Sequence, residues 1–551
     1  MKGLNRLLRP APRKTVMNKS LTQAMPFSLF HLPSQATTPA ATSSTTHVSG
    51  RRLSSSGKGL SALALASVLA GCSFVPTYER PAAPIATEWP QSAGPVQAEG
   101  VAAADMPWQD FVHDVRLREL IGLALENNRD LRVAIQNIEQ ARAQYQIQRA
   151  DLAPTVGASL SGTRQAPNAS AGPDGPSVSS VYTLGVGITS WELDFFGRIG
   201  ALKDAALAQY LATEEARKAA QISLIASVSS TWLTLQADTE LLALAERTLA
   251  TREQSLQLTK LRFDNGASSA LDMRQAESLA AAAQAARAQQ LRLRAQDINL
   301  LTLLVGQPIE QRLLPSVPQV SAAPVSNDST LATPPIAPAG ELSTFTAIPS
   351  GLPSDLLLRR PDIRAAEQQL IAANANIGAA RANFFPRITL TASAGRASTT
   401  LDGLVGSGGS GAWSFGPSIT LPIFDMGRNQ AGLDAARAGR EIAVAQYEKA
   451  IQTAFREAAD ALAGRDTLSA QLTALETQAT AERDRFRLAD LRYRNGIASY
   501  LDLLDAQRSL FATEQALAQM RLAQRANEVQ LYKALGGGWT ESDGDAVQNA
   551  G

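Results

Sequence analysis

The chain is poor in the side chains that most often carry metal-dependent or nucleophilic chemistry. Its 551 residues include one cysteine, Cys72, and three histidines, His31, His47 and His113. Zinc sites and cysteine–histidine nucleophiles need several such groups in one place, and an intrachain disulfide needs a second cysteine. No G-x-x-x-x-G-K-[ST] loop for nucleotide phosphates occurs either. These absences disfavour an enzyme, and we expect no catalytic and no metal-binding residues.

An excess of charge of either sign is also missing. Lysine plus arginine number 51, and aspartate plus glutamate number 50. Nucleic-acid-binding proteins normally present a basic surface that neutralises phosphates. The balanced composition therefore predicts no nucleic-acid partner.

The first long apolar run is too short to cross a membrane. It covers residues 60–70, follows the basic segment 51–58 and ends in Leu69-Ala70-Gly71-Cys72. A spanning helix needs about 20 apolar residues, whereas about 7 to 15 suit the apolar region of a secretory signal. Small residues directly before a cysteine resemble a bacterial lipobox, in which the thiol takes a diacylglyceryl group before cleavage. The alternative is a signal or a buried run that ends in cysteine by coincidence.

The lipobox sets the expected N-terminal organisation. Residues 1–71 would be a leader and signal peptide that is removed. Residues 72–111 would form a lipidated N-terminal segment in which Cys72 carries a covalent diacylglyceryl and N-acyl lipid. We expect no other cofactor.

The remainder of the chain contains two tandem repeats of one unit. The sequence LRFDNG at residues 261–266 recurs as LRYRNG at 491–496. Similar matches run through both halves, which predicts a first repeat at 112–306 and a second at 354–536. Residues 307–353 are rich in proline, serine and alanine without apolar periodicity, so they predict a linker or an irregular subdomain, and residues 537–551 a C-terminal tail.

Each repeat begins with a helix, about 112–150 and 354–383, and continues with two segments of strict alternation. One face is apolar and the other is small and polar, as in membrane-barrel strands. On the last segment Trp413 and Phe415 alternate with Ser414 and Gly416. The predicted barrel strands are residues 152–163, 181–195, 385–397 and 412–425.

Four strands cannot close a barrel in a membrane. An open sheet edge in lipid leaves unpaired N–H and C=O groups, each of which costs several kcal/mol. Three copies supply twelve strands, within the size range of barrels that enclose water. The strand count therefore predicts a homotrimer.

Two much longer helices follow the strands in each repeat and meet at an Asn-Gly pair. Residues 200–263 are nearly free of glycine and proline, so this helix could reach roughly 95 Å at 1.5 Å per residue. We expect an α+β membrane protein in which a trimeric twelve-stranded β-barrel, with four strands per chain, continues into a long α-helical periplasmic barrel. A soluble coiled-coil scaffold is the alternative, but it leaves the strands and the lipobox unexplained.

Several motifs connect the chain to a known family. They are LLLRRPDIRAAE at 356–367, WELDFFGR at 191–198, LPIFD at 421–425 and the two Asn-Gly turns. Together they resemble the NodT/OprM-type lipoproteins in the TolC family of outer-membrane efflux proteins, over essentially the whole mature chain. The resemblance implies a passive outer-membrane channel that extends into the periplasm and exports drugs or other small molecules. It implies that the N-terminal segment 72–111 and the linker 307–353 form part of an equatorial region. It also implies two partners, a periplasmic membrane-fusion adaptor and an inner-membrane transporter of the resistance-nodulation-division class.

The family resemblance assigns adaptor docking to the ends of the long hairpins. The matching positions here are Phe263, Asn265, Gly266, Asn495 and Gly496. Asparagine and glycine also tolerate the backbone of a helix end. The same residues can therefore be structural turns, and both interpretations can hold together.

The family also closes its periplasmic end with acidic residues and a tyrosine, which here are Asp502, Asp505, Asp272 and Tyr493. A Ser-x-x-Asp spacing before Asp272 and Asp502 is equally typical of a helix cap. Asp505 lies beyond the cap, so we expect it to be the better gate residue. An arginine of the family gate is absent, since Ala498 stands in its place.

Two alternatives remain open. Within the family, the channel could serve a protein-secreting type I system, in which case an exporter gene of the ATP-binding-cassette class should lie next to it. Outside transport, a structural lipoprotein would leave drug susceptibility and secretion unchanged when its gene is deleted.

Overall fold

The structure is a computed structural model that describes residues 73–86, 88–89, 101–166, 178–316, 344–349 and 359–539. The predicted leader, Cys72, most of the linker and the end of the tail lie outside these residues. Within the described ranges, each repeat contains two strands followed by a long helical hairpin, but two helices precede the strands in the first repeat and one helix precedes them in the second.

The first repeat contains four helices and two strands. After a short helical turn at Trp108–Phe111, they are α1 Val115–Asn127, α2 Arg129–Ala150, β1 Val156–Gln165, β2 Ser179–Leu193, α3 Arg198–Asp264 and α4 Ala270–Val305. The second repeat consists of α5 Pro361–Ala382, β3 Arg387–Ser398, β4 Ser410–Thr420, α6 Arg428–Arg494 and α7 Tyr500–Ala534. Helices α3 and α4 form the first hairpin, and α6 and α7 form the second. Both α3 and α6 have 67 residues, about 100 Å at 1.5 Å per residue.

The first repeat does not begin with the single helix predicted at 112–150. Asn128 ends α1 and caps α2, because its side-chain oxygen accepts the backbone N–H of Leu131 at 2.9 Å. Its amide nitrogen also donates to the carbonyl of Leu304 at 2.8 Å. Asparagine favours such caps over a helix interior, so one residue divides the predicted helix in two.

The four strands form one antiparallel sheet in the order β1-β2-β3-β4. Small hydroxyl side chains meet across one face: Ser161 lies 2.7 Å from Thr183, and Ser393 lies 2.8 Å from Ser414. The other face is apolar and open, with Trp413 80% exposed. Among the residues that the structure describes, β1 and β4 each pair on one side only, so both edges of the sheet are free there.

The strand ends differ by a few residues from the predicted ones. β4 ends at Thr420 instead of 425, and β1 begins at Val156 instead of 152. Pro422 and Pro154 lie in the segments that are not strands. Proline has no N–H to give to a sheet ladder, which alternation of side chains alone does not reveal.

The largest core lies where both repeats and the N-terminal segment meet. The ring of Phe111 stacks between Phe345, 4.8 Å away, and Tyr532, 4.0 Å away. Trp232 and Tyr447 are fully buried in the same cluster. The described part of the linker thus packs against elements of both repeats.

Two of the family-like motifs have structural roles. In WELDFFGR, Glu192 accepts two hydrogen bonds from Arg198, at 2.7 and 2.8 Å, and joins the end of β2 to the start of α3. In LLLRRPDIRAAE, Arg360 is buried and pairs with Asp362 at 2.6 Å and with Glu457 at 3.0 Å. Pro361 begins α5, a position that suits its missing N–H.

The described N-terminal segment packs along α5. Gly378 leaves room for Val75, Asn374 donates to the carbonyl of Pro76 at 2.7 Å, and Glu367 accepts both Tyr78 and Arg80. Arg381 donates a hydrogen bond to the carbonyl of Phe74. The rings of Phe74 and Phe385 stack with their centres 4.4 Å apart. These contacts hold the chain directly after Cys72 against a helix that leads into β3.

Candidate functional site

The two hairpin tips have the same backbone conformation. At the first tip, the N–H of Gly266 donates to the carbonyl of Phe263 at 2.9 Å, and at the second, Gly496 donates to Tyr493 at 3.1 Å. Both glycines have φ near +70°, at 70 and 71°. That conformation is easy only for glycine. The repeated Asn-Gly pair therefore ends the incoming helix in the same way twice.

The predicted docking residues lie at these turns, and the side chain of each asparagine also stabilises its turn. The side chain of Asn265 donates to the carbonyl of Leu261, and that of Asn495 to Leu491, each at 2.7 Å. Phe263 is partly buried, while the asparagines and glycines are exposed. Large apolar side chains around the tips are exposed as well, and sequence reasoning did not single them out: Leu261, Leu271, Ile497 and Leu501.

A capping box begins the returning helix at each tip. Ser269 accepts the N–H of Asp272 at 3.1 Å, and Asp272 accepts the N–H of Ser269 at 3.2 Å. Ser499 and Asp502 repeat the arrangement, at 3.3 and 3.2 Å. Hydrogen bonds from Ser269 lower the pKa of Asp272. The structural interpretation of Asp272 and Asp502 as helix caps is confirmed.

A contact between the hairpins joins the two tips. Arg262, near the end of α3, donates a hydrogen bond to the hydroxyl of Tyr493 at 2.6 Å, and its guanidinium lies 5.0 Å from the centre of the tyrosine ring. Tyr500 lies beside Tyr493, with ring centres 5.5 Å apart. Burial raises the pKa of Tyr500, and a hydrogen bond with Thr259 of α3 opposes that shift. We call Thr259, Arg262, Tyr493 and Tyr500 the inter-hairpin cluster.

Arg262 is a guanidinium contact of Tyr493 that sequence reasoning did not single out. It comes from the other hairpin and reaches Tyr493, whereas Asp272 is engaged by Ser268 and Ser269. The sequence alone does not distinguish Arg262 from Arg492, because an arginine occupies the same position of both repeat motifs.

Asp505 lies outside the inter-hairpin cluster. It is exposed and forms an ion pair with Arg485 of α6, on its own hairpin. Arg485 also pairs with Glu482 at 3.2 Å, and the hydrogen bond that Arg485 donates to Asp505 raises the pKa of Arg485. The predicted gate residues therefore divide into two caps, one member of the inter-hairpin cluster and one exposed ion pair.

No described helix combines the length and the apolar composition needed to cross a membrane. Among the described residues, no group of three or more histidine, cysteine, aspartate or glutamate side chains could hold a metal ion.

Comparison with known proteins gives a consistent result. The family model described as "Outer membrane efflux protein" matches residues 120–307 and 352–537, one match in each repeat. The chain is 47% identical over 497 residues to the probable efflux pump outer membrane protein TtgC of Pseudomonas putida, covering 90% of this chain and 98% of that protein. The antibiotic efflux pump outer membrane protein ArpC, also of Pseudomonas putida, matches to the same extent.

A solved structure shows the same fold. The MtrE outer membrane channel of Neisseria gonorrhoeae, crystallised in its open state, is 40% identical and superimposes with a TM-score of 0.72. The match covers 85% of this chain and 98% of that one. The predicted fold class is confirmed: the fold is that of trimeric outer-membrane channels, with a twelve-stranded barrel continuous with a helical barrel. The protein is an outer-membrane transport component and not an enzyme. The chain belongs to the outer membrane efflux protein family.

Proposed function

We propose that three copies of this chain form the exit duct of a tripartite efflux pump. Drugs or other small molecules pass through it from periplasm to exterior without energy input by the duct itself. A periplasmic membrane-fusion adaptor and an inner-membrane transporter of the resistance-nodulation-division class deliver the substrate and open the channel. The description of ArpC as part of an antibiotic efflux pump supports the substrate class.

The observation that carries this proposal is the pair of hairpin tips brought side by side. Arg262 and Tyr493 hold them together at 2.6 Å, so the tips form one end that can be closed or opened. Leu271 and Leu501, the second residue of α4 and of α7, are 66 and 64% exposed. Exposed apolar side chains at repeated positions suit a protein partner, and we assign them to adaptor docking together with Asn265 and Asn495.

The sheet supports the trimer. In the described part of one chain, no strand pairs with the outer edges of β1 and β4, so each edge has a row of unpaired N–H and C=O groups. Lipid offers these groups no hydrogen bonds. Pairing between β4 of one copy and β1 of the next removes every edge when three copies close the ring, and the apolar face then contacts outer-membrane lipid.

We assign gating to Asp272, Asp502, Asp505 and Tyr493, as the family resemblance implies. In a trimer, Asp502 and Asp505 repeat three times around the axis near the tips. Adaptor engagement would separate the hairpins by breaking the contact between Arg262 and Tyr493, and loss of the ion pair of Asp505 would loosen the second hairpin itself.

We also propose that Cys72 carries the lipid anchor. Two residues later, Phe74 stacks on Phe385 at 4.4 Å, and Phe385 lies two residues before β3 begins. An acyl chain on Cys72 would therefore start beside the periplasmic ends of the barrel strands. Labelling with radioactive palmitate tests this directly: wild type should incorporate label and Cys72→Ser should not.

The function is tested by complementation of a strain that lacks its own outer-membrane efflux channel. Wild type should lower intracellular accumulation of a fluorescent antibiotic, whereas the double variant Leu271→Glu, Leu501→Glu should not. Val405→Glu serves as the matched control, because Val405 is 85% exposed in the β3–β4 connection, far along the chain from the tips. Unchanged accumulation with wild type present at normal levels in the outer membrane would reject the efflux function. Normal efflux by the double variant would reject docking at the tips.

A further inference from the structure

A buried arginine lies where the two hairpins contact each other. Arg252 of α3 is 7% exposed. Towards the core, four side chains of α3 and α7 form a small apolar cluster: Leu241, Leu244, Phe511 and Ala518. Towards the tip, seven residues after Arg252, Thr259 belongs to the inter-hairpin cluster. Arg252 is therefore a cation within the surface along which α3 and α7 meet.

Arg252 has few partners for the N–H groups of its guanidinium. Its Nη1 donates to the backbone carbonyl of Leu279 of α4 at 3.1 Å, and its guanidinium carbon lies 5.3 Å from the centre of the Phe511 ring of α7. Its Nε is buried and has no hydrogen-bond partner among the described residues. The same is true of the side-chain oxygen of Gln507, one turn before Phe511. Polar groups at this contact between the hairpins are thus incompletely hydrogen-bonded.

Within the described part of the chain, no acid balances the charge of Arg252. Glu246 of α3 and Glu514 of α7 each pair with an arginine of their own hairpin, at 3.1 and 3.0 Å, and Glu253 is exposed. Burial lowers the pKa of Arg252, and the positive charge of Arg508 of α7 lowers it further. The guanidinium therefore loses water when the hairpins come together and gains no opposite charge in return.

The second repeat has a different residue at the equivalent position. That position, 230 residues further along the chain, is Glu482. Glu482 pairs with Arg485 of its own helix at 3.2 Å. The unbalanced cation is therefore a property of the contact between the two hairpins, and not a feature that every long helix of this fold needs.

We propose that Arg252 weakens the contact between the hairpins, so that a closed duct can open again. Its charge is buried and unbalanced while the hairpins are together, and it regains water when they separate. A buried charge without a partner is unfavourable, and this opposes the apolar cluster and the bond between Arg262 and Tyr493, which hold the hairpins together. The proposal rests on the proposed function in one respect, namely that the hairpins separate when the duct opens. An uncharged side chain of similar length at position 252 should make the hairpins harder to separate.

Labelling of a buried thiol measures separation of the hairpins without any transport. Ala518 is 2% exposed in the apolar cluster, so a maleimide reaches the thiol of Ala518→Cys when the hairpins separate. Full-length trimers in detergent are treated with the maleimide, and mass spectrometry follows the peptide that contains residue 518, which distinguishes it from Cys72. Arg252→Met and Arg252→Gln, each combined with Ala518→Cys, should slow labelling about tenfold. Arg252→Lys keeps a buried cation, so it should be labelled about as fast as Ala518→Cys alone.

Arg247→Met is the matched control, because Arg247 is a partly exposed arginine on the same helix, and it should leave the labelling rate unchanged. Labelling of Arg252→Met and Arg252→Gln trimers that is as fast as that of Ala518→Cys alone would overturn the proposal. Failure of both variants to assemble would overturn it as well, because Arg252 would then support the contact instead of weakening it. Failure of the proposed function is seen separately, as unchanged antibiotic accumulation when the wild-type chain is supplied in the complementation experiment.

Discussion

Arg262 of the first hairpin donates a hydrogen bond of 2.6 Å to the hydroxyl of Tyr493 in the second hairpin. The same guanidinium lies 5.0 Å from the centre of the tyrosine ring, so one cation makes two kinds of contact with one side chain. Because the two residues belong to different repeats, this contact can form only when the two hairpins lie close together at their tips.

Replacing Arg262 should loosen the tips. Arg262→Ala removes a hydrogen bond to an aromatic hydroxyl and a cation–π contact, together about 1 to 2 kcal/mol at a partly exposed site. That energy corresponds to a shift of about 5- to 30-fold towards separated hairpins. Single-channel recordings in planar bilayers should therefore show longer or larger openings. Tyr493→Phe, which keeps the ring and loses the hydroxyl, should have an intermediate effect.

Arg274→Ala is the control for that experiment. Arg274 lies close to the same tip and pairs with Glu277 at 2.7 Å, but both residues are on α4. Its loss removes a positive charge without affecting a contact between hairpins. Equal conductance of Arg262→Ala and Arg274→Ala would mean that Arg262 does not hold the tips together.

Asp505 allows a separate test of the gate. Asp505→Ala removes the ion pair with Arg485 and, in a trimer, three negative charges from the periplasmic end. We expect higher single-channel conductance, because the ion pair restrains the second hairpin and its loss leaves the tip of that hairpin less ordered. Arg485→Ala should act in the same direction if the ion pair is responsible. Should Asp505→Ala raise conductance while Arg485→Ala does not, the charge of Asp505 matters and its pairing does not.

The elements of the fold follow from local patterns. The duplicated LRFDNG and LRYRNG segments indicated two equivalent hairpins, and alternation of Trp413 and Phe415 with small polar residues indicated barrel strands. Both are properties of neighbouring residues, so a single sequence contains them. The position of Asn128 was also visible, but a capping side chain within a long helical pattern is difficult to distinguish from an exposed one.

Contacts between elements were not predictable in the same way. The approach of Arg262 to Tyr493 depends on how far each hairpin is rotated about its own axis. That rotation is not fixed by spacing along the chain, and it decides which side chains meet at the tips.

The two faces of the sheet predict opposite tolerance of charge. Phe415 of β4 is 63% exposed on the apolar face, so Phe415→Lys should cost about 2 to 4 kcal/mol if it lies near the middle of the membrane. Thr391 of β3, whose neighbour Ala392 pairs with Phe415, lies on the polar face, and Thr391→Lys should assemble normally. Folding into lipid vesicles, followed by light-scattering mass in detergent, measures both effects. A monomeric wild type, or equal assembly of the two variants, would contradict a trimeric barrel with this face towards lipid.

The contact between Gly378 and Val75 should control how firmly the N-terminal segment is held. A Cβ at Gly378 would lie 2.5 Å from a methyl group of Val75 and 2.9 Å from its backbone. Gly378→Leu should therefore displace the segment at a cost of about 1 to 3 kcal/mol, and trypsin should cleave faster after Arg80. Gly122→Ala is the control, because a Cβ there meets nothing within 4 Å and should leave cleavage unchanged. If Gly378→Leu were cleaved no faster than Gly122→Ala, the segment would be held by its other contacts, such as those with Glu367, Asn374 and Phe385, and the close approach at Gly378 would contribute nothing to its position.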